Sequence, residues 1–186
     1  MIMRTASGRL NRGNIPFSMG SLYPEPPIEY RDLTAIAVKY ETDFDMARDV
    51  VPEPLEVMDP AIVVVSVQHI GRSCMGGYSE ATMTMPVLWH GKPRRYVVMV
   101  LVTGDIAMAL GRELLGNPKK FAHVELKEGP EGMTGIVERP KGVRLFTSSV
   151  VLERPVTPDP DMLRRSPPRC PCASYRSLRA TTSRFL

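Results

Sequence analysis

The run Gly111-Arg112-Glu113-Leu114-Leu115-Gly116-Asn117-Pro118-Lys119-Lys120 gathers residue types that chemistry can use. Two adjacent lysines on a surface are ordinarily a solvated charge pair. The setting here differs: a helical segment stops at Gly116, Pro118 fixes the backbone, and the lysines open a strand between apolar segments. Consecutive strand side chains point to opposite faces, so one amine turns inward and the other outward. An enclosed amine, unlike a solvated ammonium, can act as a nucleophile. The other reactive types are scattered. His69, His90 and His123 are dispersed and read as structural or exposed. Cys74, Cys170 and Cys172 make an odd count, and the close pair is C-x-C rather than the C-x-x-C of metal sites, which reads as reduced thiols. No Gly-rich phosphate loop and no His/Cys cluster is evident in the sequence.

The elements that must position these lysines are short. Apolar and β-branched residues over 33–40 predict a strand, and Thr42 or Asp43 caps a brief helix that Pro52 ends. The continuous Ile-Val-Val-Val pattern within 61–70 predicts a strand buried on both faces, and alternation over 81–89 predicts a half-buried one. A turn at His90-Gly91-Lys92-Pro93 returns the chain along 96–103 as an antiparallel hairpin. Asp105 is expected to cap a helix over 106–115, with Gly116 as its stop. Further strands are expected over 122–126, 133–139 and 143–152. The fold class is therefore α+β, mainly antiparallel β with one or two short helices. Three stretches differ in composition: an extended Gly/Pro-rich arm over 1–32, a folded domain over 33–163, and an Arg/Pro/Ser-rich tail over 164–186.

That tail decides how the charge is read. The chain of 186 residues carries +4 at pH 7, with 43% hydrophobic and 24% charged residues, enough for one globular core. Arg164, Arg165, Arg169, Arg176, Arg179 and Arg184 account for the excess, and the body without them is slightly acidic. No basic stripe interleaved with aromatics remains for a nucleic acid. The N-terminus shows no apolar block of a signal peptide, and the apolar run over 96–102 is too short to span a bilayer, so a cytoplasmic chain is expected. The abrupt change near residue 164 reads either as a basic disordered tail or as a shifted reading frame that leaves the domain incomplete.

Several motifs share one order. Tyr40-Glu41-Thr42-Asp43, Val50-Val51-Pro52-Glu53-Pro54-Leu55-Glu56, Gly77-Tyr78-Ser79-Glu80, Pro86, Gly111-Arg112-Glu113-Leu114 and Pro118-Lys119-Lys120 resemble the acetoacetate decarboxylase family at collinear spacing. The resemblance implies an acetoacetate decarboxylase-like β-barrel or double cone, a large homo-oligomer, a small keto-acid substrate and no cofactor. It makes Lys119 the nucleophile that forms a Schiff base with a keto acid, and Glu80 an active-site acid. Lys120 becomes the neighbouring cation, and Arg31 the counterpart of the arginine that meets the substrate carboxylate. A free lysine amine is almost wholly protonated at neutral pH, so desolvation or a nearby cation must favour the neutral form.

Two departures from the family pattern stand out: Val65 falls where a second active-site glutamate is expected, and Asn117 where a tyrosine precedes the lysines. Decarboxylation of a β-keto acid is the first functional expectation. A Schiff-base aldolase-dehydratase is the second, and an inactive fragment or small-ligand binder the third.

Overall fold

The computed structural model describes residues 23–24 and 27–151, together with the backbone of three short strands outside them. In chain order the elements are β1 (Met3–Arg4), β2 (Leu10–Asn11), β3 (Tyr30–Glu41), α1 (Phe44–Val50), β4 (Glu56–Val57), β5 (Ile62–Ser73), β6 (Tyr78–Trp89), β7 (Lys92–Val102), α2 (Asp105–Glu113), β8 (Lys119–Phe121), β9 (His123–Glu128), β10 (Gly132–Glu138), β11 (Arg144–Val151) and β12 (Tyr175–Arg179). The expected α+β, mainly antiparallel architecture is what the chain adopts.

Strands β12-β3-β5-β6-β7-β8 run side by side, with β4 added on β6, and β11-β10-β9 make a second sheet. Neither sheet closes on itself among the described residues. Every pairing from β3 through β7 is antiparallel, whereas β8 lies parallel to β7, with Val100 opposite Lys119. A parallel return needs a crossover, and α2 supplies it. β3 begins at Tyr30, inside the stretch expected to be an arm, and Tyr23 and Ile28 pack against the α2 end of the molecule. Within the tail stretch the backbone of β12 pairs parallel with β3; the remainder of 152–186 lies outside the described residues.

Apolar side chains occupy both faces of the large sheet, in different ways. Val63, Val65 and Val67 of β5 point to one face. There Ile36, Val38, Val67, Ala81 and Leu101 meet Val124, Met133, Val137 and Val150 of the second sheet. The same face continues into a cluster of Ala47, Val51, Ala61, Val63, Val65, Met85 and Val87 beside α1. Gly135 permits the close sheet-to-sheet approach, since a β-carbon there would meet Val67 Cγ2 at 2.8 Å. On the opposite face, α2 covers one end of the sheet through Ala107, Ala109 and Leu110 against Ile70, Tyr78 and Val102.

Local signals explain the short elements. Asp43 caps α1 by accepting from the Met46 N–H at 3.0 Å. His90 and Gly91 both take positive φ, as a two-residue turn between β6 and β7 requires. Gly116, at φ 67°, reverses the chain after α2. One expectation is corrected. Asp105 is the first helical residue rather than the cap, which is Gly104 with no side-chain bond; the Asp105 carboxylate instead accepts from the next residue's N–H. An acidic side chain in the first turn still suits the helix dipole.

Candidate functional site

The lysine run is built by α2 and the turn that follows it. After α2, the Asn117 N–H donates to Gly111 O at 2.8 Å, and the Lys119 N–H donates to Asn117 O at 2.8 Å. Arg112 reaches from α2 to donate through Nη1 to Lys119 O at 3.0 Å. These bonds tie the start of β8 to the last turn of the helix. The stem of Lys119 then runs across Gly111, where a β-carbon would overlap Lys119 Cδ and Cε. Glycine is needed there for space, not for backbone freedom.

Lys119 is buried and Lys120 exposed, the alternation that a strand imposes. Lys119 Nζ donates to Glu80 Oε2 at 2.5 Å, with the two side chains only 8% and 11% exposed. Glu80 stands on β6, opposite Val102 of β7 and Gln68 of β5. Its other oxygen, Oε1, accepts from Gln68 Nε2 at 3.1 Å. One rung further along the same face, the Ser66 and Thr82 hydroxyls bond each other at 2.6 Å. Burial pushes the Tyr78 hydroxyl to a higher pKa than a free tyrosine, and the Glu80 and Tyr30 charges add to it.

The structure therefore brings two of the expected site residues together and leaves two outside. Arg31 is exposed and pairs with Glu29 at 3.3 Å, and Lys120 points away from the Lys119–Glu80 pair. Asn117 lines a cleft of about 350 Å³ with Leu55, Arg94, Tyr96 and Pro118. Val65 is 3% exposed within the apolar cluster beside α1. It opposes Met83, three residues from Glu80, and so faces the other side of the sheet. A carboxylate at 65 would enter this apolar cluster rather than approach Lys119. Gln68 is the contact that sequence reasoning missed; the only signal was its place among the β5 valines as a polar residue. His69 bonds Ser79 through Nδ1 at 3.0 Å, and His90 lies beside Trp89 at the hairpin turn. Among the described residues no group of three or more His, Cys, Asp or Glu is gathered as metal ligands would be.

A buried lysine held by a helix terminus and paired to one carboxylate, on a strand-rich α+β scaffold, defines a class of protein with an enclosed amine. The sequence profile described as acetoacetate decarboxylase (ADC) matches residues 14–184, and the chain belongs to this family. The acetoacetate decarboxylase of Burkholderia lata is 30% identical over 128 residues, 69% of this chain and 52% of that protein. A solved acetoacetate decarboxylase structure superposes with a TM-score of 0.71 at 26% identity, over 77% of this chain and 59% of the other. The enduracididine biosynthesis enzyme MppR, complexed with the condensation product of pyruvate and imidazole 4-carboxaldehyde, shares the fold. Its TM-score is 0.61 at 19% identity, over 75% of this chain and 61% of that one. The chain spans about half the length of the curated relatives it matches.

Proposed function

We propose that this chain carries the Schiff-base centre of a carboxy-lyase that decarboxylates a β-keto acid such as acetoacetate, with Lys119 as nucleophile and Glu80 as its proton partner. The observation that supports this reading is the enclosed Lys119–Glu80 contact of 2.5 Å. A buried ammonium does not attack a carbonyl. Attack needs the neutral amine, so Lys119 first passes its proton to Glu80, which stands within hydrogen-bond reach.

The neutral amine adds to the substrate ketone, giving a carbinolamine. Glu80 returns its proton to the departing hydroxyl, water leaves, and a protonated imine remains. The bond from the α-carbon to the carboxylate breaks, carbon dioxide departs, and the electron pair enters the enamine. A proton taken up from solvent adds to that carbon, and water then hydrolyses the imine, releasing acetone and regenerating Lys119. Lys120 is an outward charge that does not face the reacting amine. Arg31 would have to release Glu29 to meet a substrate carboxylate.

A Schiff-base aldolase-dehydratase is the second reading. In its favour, an imine of pyruvate on Lys119 can lose an α-proton to the Glu80 carboxylate and become an enamine that adds to an aldehyde, the same Lys119–Glu80 contact serving both reactions. The exposed Leu114, Leu115 and Phe121 near the lysine turn are apolar surface that a homo-oligomer would cover. A cytoplasmic location is in keeping with the free, exposed Cys74. Among the described residues, no helix is long and apolar enough to cross a membrane.

Headspace and product analysis separates the two enzymatic readings. Carbon dioxide and acetone released from acetoacetate support decarboxylation. A dehydrated adduct formed from pyruvate and an aldehyde, without gas release from acetoacetate, supports the second reading and overturns the first. Neither product from a folded chain overturns both.

A further inference from the structure

We infer that Gln68 is a positioning residue that fixes which oxygen of Glu80 exchanges a proton with Lys119, an inference that rests on the imine reading above. The two Glu80 oxygens accept from different donors: Oε1 from Gln68 Nε2 at 3.1 Å and Oε2 from Lys119 Nζ at 2.5 Å. Gln68 and Glu80 are directly opposed in the β5–β6 register, so the amide reaches along the sheet face without bending either strand. A glutamate carboxyl otherwise turns freely about its last torsion, which is broad and two-fold. With Oε1 engaged, the proton resides on Oε2, the oxygen that faces the reacting nitrogen.

Neighbouring polar groups among the described residues have other partners or positions. The nearest polar rung, Ser66 and Thr82, is closed on itself at 2.6 Å and so is engaged elsewhere. Lys119 comes from β8 and Tyr78 from β6 itself, while Arg112 of α2 is committed to the Lys119 carbonyl. Gln68 contacts Glu80 and not the amine, so it acts through Glu80 and sets orientation rather than taking the proton.

The experiment is borohydride trapping of acetoacetate on the full chain, with the rate of adduct formation at Lys119 read by mass spectrometry across substrate concentrations. Gln68→Met keeps the side-chain length and removes the donor; Gln68→Asn keeps an amide one methylene short and preserves polarity should the first variant fold poorly. Each is made alone and with Glu80→Gln. The expected result is a limiting rate lowered about 10- to 100-fold by either single variant, as a small misplacement of a reacting group produces. The half-saturating concentration stays unchanged, and no further loss occurs in the Glu80→Gln background. An equal loss in both backgrounds, a change in half-saturation alone, or an unchanged rate overturns the role of Gln68. A wild-type chain that traps no ketone overturns the imine reading and this inference with it, whereas wild-type trapping with indifferent Gln68 variants overturns only the inference.

Discussion

Glu80 Oε2 lies 2.5 Å from Lys119 Nζ although 39 positions separate the residues and β7 runs between their strands. Two charges enclosed together depend on each other. Removing one partner of a buried pair leaves an uncompensated charge, which costs about 3–5 kcal/mol. Lys119→Met is therefore expected to destabilise the fold by that order, and adding Glu80→Leu is expected to recover most of it. Urea denaturation of the two variants measures the difference; equal stabilities would contradict a mutually dependent pair.

Gly111 makes room for the lysine stem, so Gly111→Ala is expected to displace Lys119 as well as strain the α2–β8 packing. Overpacking of this kind costs about 1–3 kcal/mol. Gly135→Ala is the comparison, because it crowds Val67 between the sheets on the other face. Both variants should lower the melting temperature. Only Gly111→Ala should lower imine trapping at Lys119, and a parallel loss in Gly135→Ala would show that trapping follows general stability instead.

Glu138, on β10, accepts from the Gly142 N–H at 3.0 Å and from Arg144, and these bonds hold its carboxyl below the usual carboxylate range. A lowered folded-state value means stability that is fully present above the ordinary glutamate range, near about pH 4.3, and lost as pH falls through the lowered value. Glu138→Gln should therefore flatten the acid limb of a melting-temperature profile and leave the neutral region with a small, pH-independent offset. An unchanged acid limb would contradict the linkage.

Arg31 is exposed and paired with Glu29 at 3.3 Å. If it swings to a substrate carboxylate, Arg31→Ala should raise the half-saturating concentration for acetoacetate while leaving trapping of a neutral ketone unchanged. Losing a charge-assisted hydrogen bond of about 1.5–3 kcal/mol corresponds to roughly 10- to 150-fold in that concentration. Identical effects on both ketones would remove Arg31 from carboxylate recognition.

Much of this was legible before any coordinates, because the signals are local. Strand alternation turned one lysine inward and the other outward, and the resemblance named Lys119; a cap at Thr42 or Asp43 and the turn at His90-Gly91 were written in residue type, and the stop at Gly116 followed the end of α2. The chain order of motifs put Glu80 with Lys119. What sequence left hidden depends on register. Nothing in the valine run of β5 says which of Val65 and Gln68 shares a face with Glu80; pairing with β6 decides it, and it favours Gln68. The packing role of Gly111 was equally hidden, since a glycine near a helix end reads as a breaker until a side chain is seen lying across it. Asp105 was misplaced by one residue because an acidic residue suits both a cap and a first turn.

The most direct test of the central claim is the site of covalent labelling. The chain is incubated with acetoacetate, reduced with borohydride, digested and sequenced by mass spectrometry, with Lys120 in the same region as an internal comparison. The account predicts the reduced adduct on Lys119, none on Lys120, and no adduct in Lys119→Met. Label on Lys120, or no label on a well-folded chain, would contradict it.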